Sequence, residues 1–241
     1  MLPHSTPQDT WPGCNNDQQE YHELSCMICE VRKQKRFCPA VHGRICPQCC
    51  GEQREVTLDC PSTCPYLQQA REHERPRPMQ ELDQAALFPQ IEIGEQFLYE
   101  HEHLLMGLSY ALAKSAQSDR AVTDADLIAA LTSMIRTQET LVNSGLHYDT
   151  PISNLSQQAV VAEVQGMLKG YRQTEQGQLG YSRLRDSDVL GALVLLVRTG
   201  HAHTSGRPKS RAFVDFVLSQ FPEKQTALTA PEQAGNRIII P

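Results

Sequence analysis

The chain has 241 residues, a formal net charge of −6, 40% hydrophobic and 21% charged residues, and nine cysteines. These proportions provide enough apolar surface for a core and exclude wholesale disorder. Eight of the nine cysteines fall within residues 26–64, which excludes an evenly stapled disulfide scaffold.

In chain order, residues 1–20 read as a disordered tail: polar, proline-bearing, without periodicity, and holding the stray Cys14. The N-terminus lacks a charged-then-apolar leader pattern, so a reducing cytoplasmic compartment is expected, where clustered cysteines favour metal over disulfide. Residues 21–75 form the cysteine-rich module. Two C-x2-C pairs, Cys26/Cys29 and Cys46/Cys49, are separated by sixteen residues. Two residues between paired cysteines let both sulfurs reach one tetrahedral ion, and this spacing predicts a zinc site. An iron–sulfur cluster would use the same thiolates. Cys38, His42, Cys60 and Cys64 remain, and ligand pairs that alternate between two ions assign them to a second zinc. Cys50 is the awkward member. It either replaces His42 as a ligand, packs as a small buried side chain, or is a redox-active thiol.

Between Cys29 and Cys38 lie Arg32, Lys33, Lys35 and Arg36. This basic loop either contacts phosphates or offsets the thiolate charge, with Phe37 expected in the core. No longer segment is strongly basic: residues 21–80 hold nine Lys or Arg against seven Asp or Glu, which weakens a duplex nucleic-acid reading. After Cys64, Pro65 suits the first turn of a short helix that closes the module. Residues 76–90, which include alternating prolines, read as a stiff linker.

Residues 91–222 read as an all-helical bundle of five helices. The first stripe runs through Phe97, Leu98, Leu104, Leu105, Leu108 and Leu112. The second begins at Thr123 and Asp126, close to a capping box, and stops at Gly145. The third runs from Val160 to Tyr171. The fourth, residues 189–197, is apolar throughout and predicts a central buried helix, too short to span a bilayer. The fifth is expected to start near Pro208 and to carry Phe213, Phe216 and Val217. Residues 223–241 read as a flexible tail. Outside the module, His101 with His103 reads as a surface pair, His201 with His203 as loop histidines, and Gly206–Arg211 as a weak anion-site candidate at a helix start.

The spacing Cys26-x2-Cys29-x8-Cys38-x7-Cys46-x2-Cys49 resembles the cross-brace zinc modules of the B-box and RING type. It departs from a B-box at its end, where Cys60-x3-Cys64 stands in place of histidines. Residues 38–75 resemble a group of uncharacterised bacterial proteins that carry CCG-x2-RE-V-x3-CP-x2-C-x-YL-x2-AR before a helical region. That resemblance implies that the zinc module and the helices travel together, and it implies no activity. The fold expected is mainly α: a small N-terminal zinc-binding cross-brace module, treble-clef or B-box-like, followed by a helical bundle. The function expected is a non-enzymatic interaction, scaffold or regulatory protein that binds two structural zinc ions. Its partners are proteins rather than membranes. The alternatives are a nucleic-acid-associated regulator using the basic loop, or a redox sensor at Cys49/Cys50.

Overall fold

The structure, a computed structural model, describes residues 25–74 and 78–222. The two tails and Cys14 lie outside those residues. The chain divides into two compact units, residues 1–67 and 68–241.

The N-terminal unit opens with a tight turn at Cys26–Cys29, closed by Glu30 N–H donating to the Cys26 carbonyl at 2.7 Å. A short antiparallel hairpin follows, β1 (Arg36–Cys38) with β2 (Gly43–Ile45), in the register Arg36↔Ile45, Phe37↔Arg44, Cys38↔Gly43. Its loop turns at His42, which has a left-handed φ of 50°, a conformation histidine tolerates better than most residues. Helix α1 (Pro47–Gln53) comes next. Its N-cap is Cys46 and its first residue is proline, whose fixed φ suits that position. A turn, a hairpin and a helix carrying the second cysteine pair at its start is a treble-clef order. Strand alternation puts Cys38 inside and Phe37 outside. Phe37 is 55% exposed, so it does not join the core as expected.

Helix α2 (Pro65–His73) confirms the helix expected after Cys64. The boundary between the units falls within it, earlier than the linker at 76–90. Tyr66, in its first turn, packs with the cysteine cluster, and its carbonyl accepts from Arg54 Nη1 at 3.4 Å.

The second unit begins with short 3-10 turns at Met79–Glu81 and Gln84–Leu87. Leu87 and Phe88 are buried in the helical core. Arg198 donates to the carbonyls of Leu87, Phe88 and Ile91 at 2.8–2.9 Å. The end of the expected linker is therefore built into the bundle. Six helices follow: α3 (Glu95–Glu100), α4 (Glu102–Ser118), α5 (Asp124–Ser144), α6 (Leu155–Leu179), α7 (Asp186–His203) and α8 (Ala212–Ser219). The first expected stripe is split at His101, between α3 and α4. Leu98 of that stripe is 41% exposed.

Helix α7 is the centre. Val189, Leu190, Ala192, Leu193, Val194 and Val197 are all buried, against α5 on one side and the α4–α8 layer on the other. The caps follow the local chemistry. Thr123 and Asp126 form a reciprocal capping box on α5, and Gly145 ends that helix with a left-handed φ of 70°. Asn154 caps α6 by accepting from the Ser156 and Gln157 amides.

Helix α8 starts at Ala212, later than the expected Pro208. The delay has a tertiary cause. Ser210, 1% exposed, donates its hydroxyl to Asp124 Oδ2 at 2.6 Å. Its carbonyl accepts the Asp124 amide at 2.9 Å. Ser210 is thus held as a bridge to α5 rather than as a helical residue.

Close packing on α7 predicts a sharp response at Gly200. A Cβ there would lie 2.9 Å from Ile128 Cγ1 and 3.1 Å from the Phe213 ring. Gly200→Val is expected to lower stability by about 1–3 kcal/mol through overpacking, read as a shift of the urea midpoint at unchanged m-value.

Candidate metal centre

Cys26 and Cys29 sit on the first tight turn, and Cys46 and Cys49 on the start of α1. The hairpin between them reverses the chain and brings the pairs together. One sulfur from each of the four lies within 4.8 Å of the other three. A tetrahedral ion at a metal–sulfur distance of about 2.3 Å needs sulfurs about 3.8 Å apart, so the quartet stands close to coordination geometry. Cys26, Cys46 and Cys49 are buried and Cys29 is half-buried.

Backbone amides are aimed at the sulfurs. Cys46 N–H donates to Cys26 Sγ at 3.1 Å, and Cys49 N–H to Cys46 Sγ at 3.3 Å. Burial pushes the Cys26 thiol up, but the amides of Cys29, Cys46 and Ile28 outweigh it and bring the pKa down to about 6. The Cys49 thiol moves the other way, up to about 12, through burial and the neighbouring Cys46, Cys29 and Cys26. The quartet's own amides thus favour the Cys26 thiolate, and a cation among the sulfurs would favour the Cys49 thiolate.

Arg32 supplies part of that positive charge. Its Nη1 lies 3.9 Å from Cys46 Sγ and 3.8 Å from Cys49 Sγ. Arg36 lies over the Tyr66 ring, 4.6 Å from its centroid, with Nη1 3.6 Å from Cys50 Sγ. Two of the four cations in the basic loop are therefore turned toward sulfur.

The second expected set is arranged differently. Among the described residues, only the first quartet brings at least three such ligand atoms within 4.8 Å of one another. Cys38 and Cys64 are buried and Cys60 is half-buried. Burial raises the Cys60 thiol pKa, and Cys38, Cys64 and the Glu55 carboxylate raise it further, against a hydrogen bond from the Glu55 amide. Cys38 and Cys64 thus both lie within electrostatic reach of Cys60. His42 is exposed in the hairpin loop. Cys50 is buried in the apolar cluster of the unit. Glu55, the acid of the CCG-x2-RE-V pattern, was not read as a site residue. It is 2% exposed, with a left-handed φ of 55°.

Outside the module, His103 is exposed as expected but His101 is half-buried. Its ring lies tilted against Phe97 with centroids 4.4 Å apart and sits 3.8 Å from Asp188. His203 lies on α7 rather than in a loop, stacked on Phe216 at 3.9 Å. The anion-site candidate at the start of α8 is filled by the protein itself: Asp124 Oδ1 accepts the Val214 amide at 3.0 Å. Arg211 donates to the carbonyls of Arg120 and Val122.

No family model, curated protein or solved structure matches this chain. The functional reading therefore rests on the cysteine quartet and the helical unit. Among the described residues, no helix is long and apolar enough to cross a membrane.

Proposed function

We propose that this chain is a zinc-binding protein that acts through non-enzymatic contacts with partner proteins, in the cytoplasm, its N-terminal unit stapled by structural zinc. The observation that carries the reading is the four-cysteine group. It comes from a tight turn and a helix start, it is largely buried, and it offers four sulfurs. Four protein ligands saturate a tetrahedral zinc and leave no open position for a reacting water, which is the pattern of structural rather than catalytic sites. Thiolate ligands and tetrahedral spacing favour zinc over harder divalent ions.

A second zinc at Cys38, Cys60 and Cys64, completed by His42 or Cys50, is the finer part of the proposal. Its support is the shared burial of Cys38 and Cys64 and their electrostatic pull on Cys60. The partner role is supported by large apolar side chains that the unit leaves in water: Val31 at 87%, Met27 at 60% and Phe37 at 55% exposure. The turning of Arg32 and Arg36 toward sulfur weighs toward charge compensation and against phosphate contact.

Native mass spectrometry, with and without chelator, tests the reading. Two zinc ions per chain are expected, both lost to chelator. A single zinc would remove the second site. Protein purified under reducing, chelator-free conditions that carried no metal would overturn the whole proposal.

A further inference from the structure

The helical unit holds two large concave regions, and they differ in charge. The first, of about 670 Å³, is lined by Asp149 and Asp186 as well as Lys169 and Arg172, with Arg172 2.7 Å from Asp186, so acids and bases are matched there. The second, of about 690 Å³, lies between α5 and the segments around residues 150–153 and 204–208. Among the described residues, no aspartate or glutamate lines it, although the whole chain carries a net charge of −6. Arg136, Arg207 and His201 line it instead.

The floor is apolar, with Ile128, Ala129 and Ile152, and hydroxyls of Thr132, Ser153 and Thr204 stand among them. The side chain of Arg136 has no hydrogen-bond or ion-pair partner among the described residues and is exposed toward the opening. Its positive charge is left to solvent or to a ligand.

Both walls are built. The Thr150 amide donates to Thr137 Oγ1 at 3.1 Å, and Ser133 Oγ donates to the Thr150 carbonyl at 3.4 Å. Across the cleft, the Ser205 amide donates to Ser210 Oγ at 3.2 Å, and Ser210 is itself bound to Asp124. Asp126 on α5 is already partnered. Its oxygens accept from Thr123, Asn154 and Gln157. A preformed cleft of this volume, with an apolar floor and a few convergent polar groups, is the usual form of a small-molecule site.

We infer that the cleft between α5 and the 150–153 and 204–208 segments binds a small organic anion, its apolar body on Ile128 and Ile152 and its negative head at Arg136. The inference stands independently of the metal centre, which lies in the other unit.

The test is isothermal titration of the full zinc-loaded chain with 1-naphthoate and with its uncharged isostere 1-naphthamide. Wild type is expected to bind one naphthoate per chain, at least about tenfold more tightly than the amide. Arg136→Gln is expected to weaken naphthoate about tenfold and leave the amide unchanged. Ala125→Trp, which fills the cleft from an exposed position on α5, is expected to abolish both. Lys169→Gln, in the other concave region, serves as the control and is expected to change nothing. No saturable binding in wild type, equal binding of acid and amide, or indifference to Arg136→Gln would each overturn the inference. Arg136→Gln carries the test alone if Ala125→Trp alters the helical circular dichroism.

Discussion

Cys46→Ser is expected to strip zinc from the quartet and unfold the N-terminal unit, while the helical unit keeps its circular dichroism and melting midpoint. Cys46 has two roles. It is one of the four sulfurs gathered within 4.8 Å, and it is the N-cap of α1, accepting the Cys49 amide. Serine is among the best N-caps, so the substitution keeps the cap and removes only the soft ligand. The effect should nevertheless be large. A structural zinc contributes apparent binding energy of about 10–16 kcal/mol, and a unit this small cannot bury enough apolar surface to fold without a staple. Its core consists largely of the cysteines themselves, joined by Ile45 and Leu58. Zinc content read beside proton–nitrogen correlation spectra checks the expectation. A Cys46→Ser protein with dispersed resonances for residues 25–67 and no metal would show that the unit does not depend on zinc.

Asp124→Ala is expected to be the most damaging single change in the helical unit, lowering stability by about 3 kcal/mol or more. Asp124 is 1% exposed at the first turn of α5. One of its oxygens accepts from Ser210 Oγ at 2.6 Å, and the other accepts from the Val214 amide at 3.0 Å. The carboxylate therefore caps α8 from a different helix and also sits favourably at the α5 N-terminus. Alanine would leave the buried Ser210 O–H and the Val214 N–H without their acceptors. For a domain of this size that corresponds to a fall of roughly 6–12 °C in the melting midpoint. Asp124→Asn keeps an acceptor and should cost less, and Ser210→Ala only about 1 kcal/mol. Calorimetry across the three variants reads the order directly. A loss under about 1 kcal/mol for Asp124→Ala would show that α8 is held by its apolar face alone.

Much of the architecture was legible before any coordinates. The C-x2-C pairs announced the quartet because two residues between cysteines bring both sulfurs to one side of a turn. The Thr123–Asp126 box and Gly145 bounded α5 correctly, and the apolar run 189–197 marked the central helix. The second ligand set was less legible. Cys38, Cys60 and Cys64 have no pair closer than four positions apart, so no local turn forces their sulfurs together. The burial of Glu55, the acid of the RE-V pattern, was not legible, because a glutamate in a polar stretch reads as solvent-exposed, whereas here its backbone turns left-handed and it is buried.

The division follows interaction range. Capping boxes, knuckle turns and helical stripes act within about four residues, so a short stretch of chain contains everything that forms them. Contacts across many residues depend on how the elements pack. Phe37 was left in water because the hairpin alternates faces. His101 was drawn against Asp188 on a helix far along the chain. The anion site read at Gly206–Arg211 was taken by Asp124 of another helix. Asp126 found further partners in Asn154 and Gln157 at the start of α6. His101, the Val214 amide and Asp126 were each settled by a neighbour that no short sequence window contains.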